Sequence, residues 1–216
     1  WVRRVAEVIP TVWLNAFDSL ISVDSCMPEN AEGIYQGMKH LYDLGHRRIA
    51  FFCGSKLCLQ TNERYQGYLK SLAALQLPVR DEYLSLYEEK WQENSEDMKA
   101  VLTIALEKLL SLPEPPTAII SPSDWDAALM QRTAQSMGVS VPGELSIIGF
   151  DNMSFCELLQ PRLTSIHQPM EQMGEQACRL LLERINGIDR STTALRLGLD
   201  LVLRDSTAKP SIKKQA

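Results

Sequence analysis

His40-Leu41-Tyr42-Asp43-Leu44-Gly45-His46-Arg47-Arg48-Ile49-Ala50-Phe51-Phe52-Cys53-Gly54 is the stretch that decides the fold class. Upstream of Gly45, Ile34, Met38, Leu41 and Tyr42 recur at helical spacing, so Asn30–Leu44 is a predicted helix with Gly45 as its C-cap. A few residues later Ile49 to Cys53 is continuously apolar and stops at Gly54, the pattern of a strand buried on both faces. A helix feeding such a strand predicts a parallel sheet. Gly45-His46-Arg47-Arg48 could also be a phosphate or nucleic-acid patch, but a glycine cap followed by turn residues entering a strand explains it more simply.

Outward from this stretch the alternation continues. Val8–Leu14 reads as a strand with Pro10 near its start, where proline is tolerated. Downstream, Glu63–Leu75 places Tyr65, Tyr68, Leu69, Leu72 and Leu75 on one helical stripe, and Leu77-Pro78 ends it. Tyr83–Tyr87 reads as a short strand and Ser95–Leu112 as a long amphipathic helix that stops at the proline-rich Pro113–Pro116. Then follow a strand at Thr117–Ser121, a helix from Asp124 to Met137 closed by Gly138, and strands at Leu145–Phe150 and Leu163–His167. A helix over Pro169–Asn186 ends at Gly187, Leu195–Leu203 alternates as a final strand, and the residues beyond Ser206 read as a mobile tail. The order of elements predicts an α/β protein with parallel sheets flanked by helices.

The chain has 216 residues, 45% of them apolar, enough for one large domain or two smaller lobes with a real core. Its 22 Lys and Arg against 27 Asp and Glu give a net charge of −5, which makes the chain itself a poor binder of nucleic acid. No apolar run approaches the roughly 20 residues of a membrane helix, so no membrane partner is expected. Trp1 to Glu7 has no apolar signal core and reads as the middle of a helix, which suggests that something precedes it. Cys26, Cys53, Cys58, Cys156 and Cys178 form no C-x-x-C pair, and such a scatter fits free thiols in the cytoplasm.

Neither glycine-rich phosphate loop is present, and no G-x-S-x-G elbow occurs. His40, His46 and His167 are not at the spacing of a helical zinc motif, so neither a metal nor a cofactor is expected. What remains is loops after parallel strands, where open α/β sheets place ligands. Asn15 to Asp18, Gln60 to Arg64, Ser121 to Trp125, and Asp151-Asn152 are such loops. Their amides, hydroxyls, carboxylates and one guanidinium suit a sugar or similar polyol, with Phe17, Trp125 or Phe155 covering an apolar ring face. Each also has a structural reading: Asn15 and Asp151 as caps, Ser123 or Asp124 as a helix N-cap, and Arg64 in a surface pair with Glu63 or Asp124.

Several strings resemble the effector-binding core of the LacI/GalR transcriptional regulators, which is similar to the type I periplasmic sugar-binding fold. They are Ile9-Pro10-Thr11-Val12, Glu29-Asn30-Ala31-Glu32-Gly33, His40 to Phe51, Glu63-Arg64-Tyr65-Gln66-Gly67-Tyr68, Pro115-Pro116-Thr117-Ala118-Ile119, Val141 to Asn152, and Pro161 to Pro169. The resemblance runs from about Val8 to Ser206. It implies two Rossmann-like lobes, residues 1–47 with 166–188 and residues 48–165 with 189–206, plus a tail at 207–216. The first lobe is expected to be incomplete, and the three crossings are expected near Gly45–Arg48, Thr164–Gln168 and Gly187–Thr193.

By the same resemblance Arg64 and Asp151 look like the arginine and carboxylate that hold the effector. Asn15 stands where the family often has Asp, and Ser123, ahead of Asp124 and Trp125, where it usually has Asn. With Phe17, Asp124 and Trp125 from the loops after the strands, the expected set for a small-molecule effector, a sugar or sugar derivative, is Asn15, Phe17, Arg64, Ser123, Asp124, Trp125 and Asp151. The resemblance also implies a homodimer and operator DNA bound through an N-terminal helix-turn-helix that this sequence does not contain. A transport protein that binds sugar on the same fold is the alternative, and an enzyme acting on sugars is a third class that would need a perturbed acid/base pair in the cleft.

Overall fold

The computed structural model describes residues 2–16, 22–53, 59–86, 95–188 and 190–211. In chain order the elements are α1 (Val2–Ala6), β1 (Val12–Leu14), β2 (Asp24–Pro28), α2 (Asn30–Leu44), β3 (Ile49–Cys53), α3 (Leu59–Ala74), β4 (Leu84–Leu86), α4 (Ser95–Leu110), β5 (Ala118–Ile120), α5 (Asp124–Ser136), β6 (Ser146–Asp151), β7 (Thr164–His167), α6 (Met170–Ile185), β8 (Ala194–Leu197) and β9 (Asp200–Val202). They form a six-stranded sheet in the order β4-β3-β5-β6-β7-β9 and a three-stranded sheet in the order β1-β2-β8. All pairings are parallel except that of β7 with β9.

Alternation along the large sheet's strands sorts the core into two layers. Ile49, Phe51, Ile120, Ile148, Phe150 and Ile166 pack under α2 and α3 against Ile34, Met38, Leu41, Tyr68 and Leu72. Ala50, Phe52, Ile119 and Ile147 face the other way, onto Leu102, Leu106, Ala127, Met130 and Ala134 of α4 and α5. Helices on both faces explain why these strands read as unbroken apolar runs. Gly45 takes the left-handed conformation, φ 105°, and its N–H caps α2.

Three features differ from the sequence expectation. The first strand is shorter, because α1 occupies 2–6 and the N–H groups of Val8 and Ile9 turn back onto Val5 O, leaving β1 to begin at Val12. β2 is an added strand, buried along its whole length between β1 and β8. The final strand is two: β8 pairs with β2 in the small sheet and β9 with β7 in the large one. Between them Leu199 is buried, and a Cβ at Gly33 of α2 would lie only 2.6 Å from its Cδ1.

These pairings also move the expected lobe boundaries. α2 covers the large sheet, so residues 30–47 belong with it and the first passage falls at 28–30 rather than near 45–48. The second passage, at 168–169, leads from β7 in the large sheet to α6, which packs on β1 and β2. The third falls at 198–199, not near 187–193. The start of the expected tail is also fixed: Ala208 O bonds His46 Nε2 at 2.8 Å, and Ala208 N donates to Ser146 Oγ at 3.1 Å. Residues 212–216 lie outside the described residues.

Candidate functional site

Strand order reverses between β3 and β5, because the chain goes from β3 outward to β4 and then returns to β5 on the other side. Open α/β sheets have a crevice at the carboxyl ends of such a pair. Arg64, on the first turns of the helix that follows β3, reaches across it, and its Nη1 donates to Pro122 O, just past the end of β5. Its Nε donates to Asn30 Oδ1 at 2.9 Å, and its guanidinium carbon lies 3.5 Å from the centre of the Phe150 ring. The third contact is electrostatic, with Nη2 3.8 Å from Asp151 Oδ1 at the end of β6.

Asp151 ends its strand in a conformation that only its surroundings can hold, φ 114°, followed by Asn152 at φ 57°. Gln168 Nε2 donates to its Oδ1 from beyond the end of β7. Burial pushes the Asp151 carboxyl up to about 6, against the pull of Arg64 and the Gln168 bond and with a further push from Asp124 and Asp126. Gln168 Oε1 and Ser121 Oγ, both buried at strand ends, have no hydrogen-bond partner among the described residues. Unmet buried polar atoms beside an Arg–Asp pair suit a ligand that both donates and accepts.

Asp124 supports this site from behind. Its carboxylate is fully buried and accepts from Ser165 Oγ at 2.6 Å, Met153 N at 2.7 Å and Cys156 Sγ at 3.1 Å. Burial raises its pKa while those three donors hold the charged form. Asn152 N in turn donates to Ser165 Oγ at 3.0 Å, so the turn carrying Asp151 is tied to Asp124 on two sides. The same burial, with Asp124 adjacent, pushes the Cys156 thiol up to about 12. Gly149 leaves the room this needs, since a Cβ there would collide with Asp124 Oδ1.

The structure thus brings together Arg64 and Asp151, and joins to them Asn30, Phe150 and Gln168. Ser123 caps α5, its Oγ accepting from Asp126 N at 3.1 Å. Trp125 is exposed at the start of α5, with its ring 4.6 Å from that of Phe155. Asn15 follows β1 in the small sheet at φ 52°, its N–H bonded to Cys26 O. Phe17 lies outside the described residues. Sequence reasoning considers Phe17, Trp125 and Phe155 as the aromatic surface and passes over Phe150; period-2 alternation from the buried Ile148 would have placed Phe150 on the Arg64 side. Gln168 and Asn30 stand in the motif strings without a role, and no local signal marks Arg196, whose partner Glu63 is 133 positions away.

Among the described residues no three His, Cys, Asp or Glu side chains are placed to hold a metal ion, and no helix is long and apolar enough to cross a membrane. Cys26, Cys156 and Cys178 carry free thiols.

Residues 38–207 match the family model described as periplasmic binding protein-like domain. The HTH-type transcriptional repressor CytR of Escherichia coli K12 is 30% identical over 206 residues, covering 95% of this chain and 58% of the repressor. The chain therefore spans rather more than half the length of the curated relatives it matches. A LacI family transcriptional regulator from Mycobacterium smegmatis superposes with a TM-score of 0.83 at 28% identity, over 97% of this chain and 74% of that one. Another, from Enterococcus faecium with bound ribose, gives 0.78 at 27% identity, over 94% of this chain and 72% of that one.

Proposed function

The chain belongs to the periplasmic binding protein-like domain family, and from that premise we propose that it is the effector-binding and dimerisation region of a LacI/GalR-type transcriptional regulator, with a sugar or sugar derivative as effector. The observation that carries this reading is Arg64, buried across the strand-order reversal and 3.8 Å from Asp151. A guanidinium and a carboxylate side by side serve a ligand whose hydroxyls accept from one and donate to the other. The Phe150 ring beneath Arg64 fixes the plane of the guanidinium. The E. faecium regulator with bound ribose supports the sugar class.

Asn15, Phe17, Ser123, Asp124 and Trp125 complete the proposed effector set. Asp124 acts within it by holding the Asp151 turn, because it accepts from Met153 N and Cys156 Sγ just past that turn and from Ser165 Oγ of β7. In the whole regulator a bound effector alters the affinity of a helix-turn-helix for operator DNA, since coupling between two sites is reciprocal. The protein acts in the cytoplasm as a homodimer. The relatives matched are transcriptional regulators, and no catalytic step is proposed.

Thermal shift against D-ribose, cellobiose, uronates, nucleosides and purines tests the reading. A ligand at 100 times its Kd adds about 2.7 kcal/mol to stability, a rise of about 5 to 10 °C at this chain length. The expected result is a rise with a sugar that Arg64→Ala abolishes. No rise with any compound, or an equal rise in Arg64→Ala, overturns it. The transport alternative is separated by what the gene encodes together with this region: a helix-turn-helix supports regulation, and a signal peptide supports transport.

A further inference from the structure

Polar contacts from Arg64 do not end at the site. Asn30, which is 1% exposed, accepts from Arg64 Nε through Oδ1 and donates through Nδ2 to Glu63 Oε2 at 2.8 Å. Glu63 is in turn gripped by Arg196, with Nη2 to Oε1 at 2.8 Å and Nη1 to Oε2 at 3.1 Å. Arg196 belongs to β8 in the small sheet and also reaches Pro28 O at 3.3 Å, whereas Glu63 and Arg64 belong to α3 on the large sheet. Asn30 opens α2 immediately after the first passage between the sheets.

From these contacts we propose that Arg196 is a positioning residue for the effector site, acting through Glu63 and Asn30 to fix the guanidinium of Arg64 and so making effector affinity depend on how the small sheet sits against α3. The inference rests on the effector reading above only for what Arg64 binds. The direction of the relay is set by its charges: a carboxylate accepts and a guanidinium donates, so Asn30 must face its amide NH2 toward Glu63 and its carbonyl toward Arg64. Neutralising Glu63 weakens the hold on the amide NH2, so that Asn30 is oriented only by the bond its carbonyl accepts from Arg64 Nε. Arg196 holds the carboxylate with two parallel bonds, a geometry that fixes direction as well as distance.

The pair differs in kind from the helix-surface pairs of this protein. Lys39 with Asp43 and Arg179 with Glu183 join neighbours one turn apart on a single helix. Arg196 with Glu63 joins two sheets across the chain and continues inward to a buried arginine. A separation of the sheets that parted Arg196 from Glu63 would loosen Arg64, and an effector that holds Arg64 would resist the separation.

The test uses the full chain with Arg196→Met, which keeps the stem and removes the charge, Glu63→Gln, which keeps the shape, and Arg179→Met as a control. One readout needs no ligand: the Nε–H resonance of Arg64, assigned by its loss in Arg64→Lys. The second is D-ribose titrated by calorimetry. In Arg196→Met and Glu63→Gln the Arg64 resonance moves and its proton exchanges about tenfold faster, as expected when an oriented buried hydrogen bond is lost. Ribose affinity falls about fivefold, the low end of coupling between linked sites. Arg179→Met leaves both unchanged. An unmoved Arg64 resonance in folded Glu63→Gln overturns the proposal, and that variant decides alone if Arg196→Met does not fold. A moved resonance with no ribose binding by any protein supports the relay and counts against the sugar reading, whereas unmoved resonances with equal ribose binding overturn the relay and leave that reading standing.

Discussion

Burial works against the ionised form of Asp151, the form that accepts hydroxyl protons in the proposed site. Burial favours the protonated acid and moves its pKa from 3.8 to about 6, and Arg64 at 3.8 Å only partly offsets this. The folded state therefore binds more protons than the unfolded chain between about pH 4 and 6, so this residue's contribution to stability falls as pH rises through that window. The loss is on the order of 3 kcal/mol at neutral pH. Asp151→Asn imitates the protonated acid: denaturant unfolding at pH 7 is expected to show a more stable protein, with the gap to wild type closing by pH 4. Binding has the opposite sign. An ionised carboxylate accepts hydroxyl protons, so wild-type affinity for a sugar rises between pH 5 and 7 while Asp151→Asn binds weakly throughout, which titration at both pH values checks. Behind it, Gly149→Ala would drive a methyl group into Asp124 Oδ1 and break the bonds to Ser165 and Met153. The expected cost is about 2 to 4 kcal/mol by chemical unfolding, the scale of overpacking plus a disrupted buried polar network.

At the scale of elements, the small sheet is organised around a charge. Asp24 opens β2 with its side chain fully buried, and Arg184 at 2.8 Å and Arg190 at 2.8 Å both reach it from distant parts of the chain. Burial alone would raise its pKa, but the bonds from Arg184, Arg190 and Thr193 N outweigh that and bring it down to about 2. The stabilisation is present above the unfolded value near 3.8 and is lost as pH falls toward 2, about 2 kcal/mol in all. Asp24→Asn removes the carboxylate that Arg184 and Arg190 share and is expected to cost about 3 kcal/mol at pH 7. Thermal unfolding should show that penalty shrinking as pH is lowered from 4 to 2. The same strand shows where sequence reading stops. Asp24-Ser25-Cys26-Met27-Pro28 has no β-branched residue and a proline at its end, and it is a strand only because β1 and β8 flank it and two arginines more than 150 positions away neutralise its first residue. Local pattern sufficed for Ile49–Cys53 and for the helix ending at Gly45, whose burial is written in consecutive residues. It misled at Leu195–Leu203, where alternation runs through the break between β8 and β9, at which Leu199 is buried beside Gly33 and its carbonyl accepts from Gln36 Nε2 at 2.8 Å.

For the whole molecule, the proposed site is tied to the passages between the sheets. Asn30 sits at the first passage and bonds Arg64, while Gln168 sits at the second and bonds Asp151. The two charged ends of the site are thus each tied to a different link between the sheets. Arg64 and Asp151 were legible as a pair because both lie in motif strings at strand ends. Their ties were not, because Asn30 lies 34 positions from Arg64 and Gln168 lies 17 from Asp151, and neither partner is implied by its neighbours. A ligand bridging the charged ends restrains both links at once, so its effect on backbone opening belongs at 28–31 and 167–170 rather than in the central strands, which are already closed by the core. Amide hydrogen exchange with and without the sugar identified by thermal shift is expected to slow most in those two segments. Gln168→Ala removes one tie without touching Arg64. It should keep the slowing at 28–31, lose most of it at 167–170, and reduce affinity less than Arg64→Ala does. Equal slowing at both segments in Gln168→Ala would mean that the second passage responds to the ligand by some route other than Asp151.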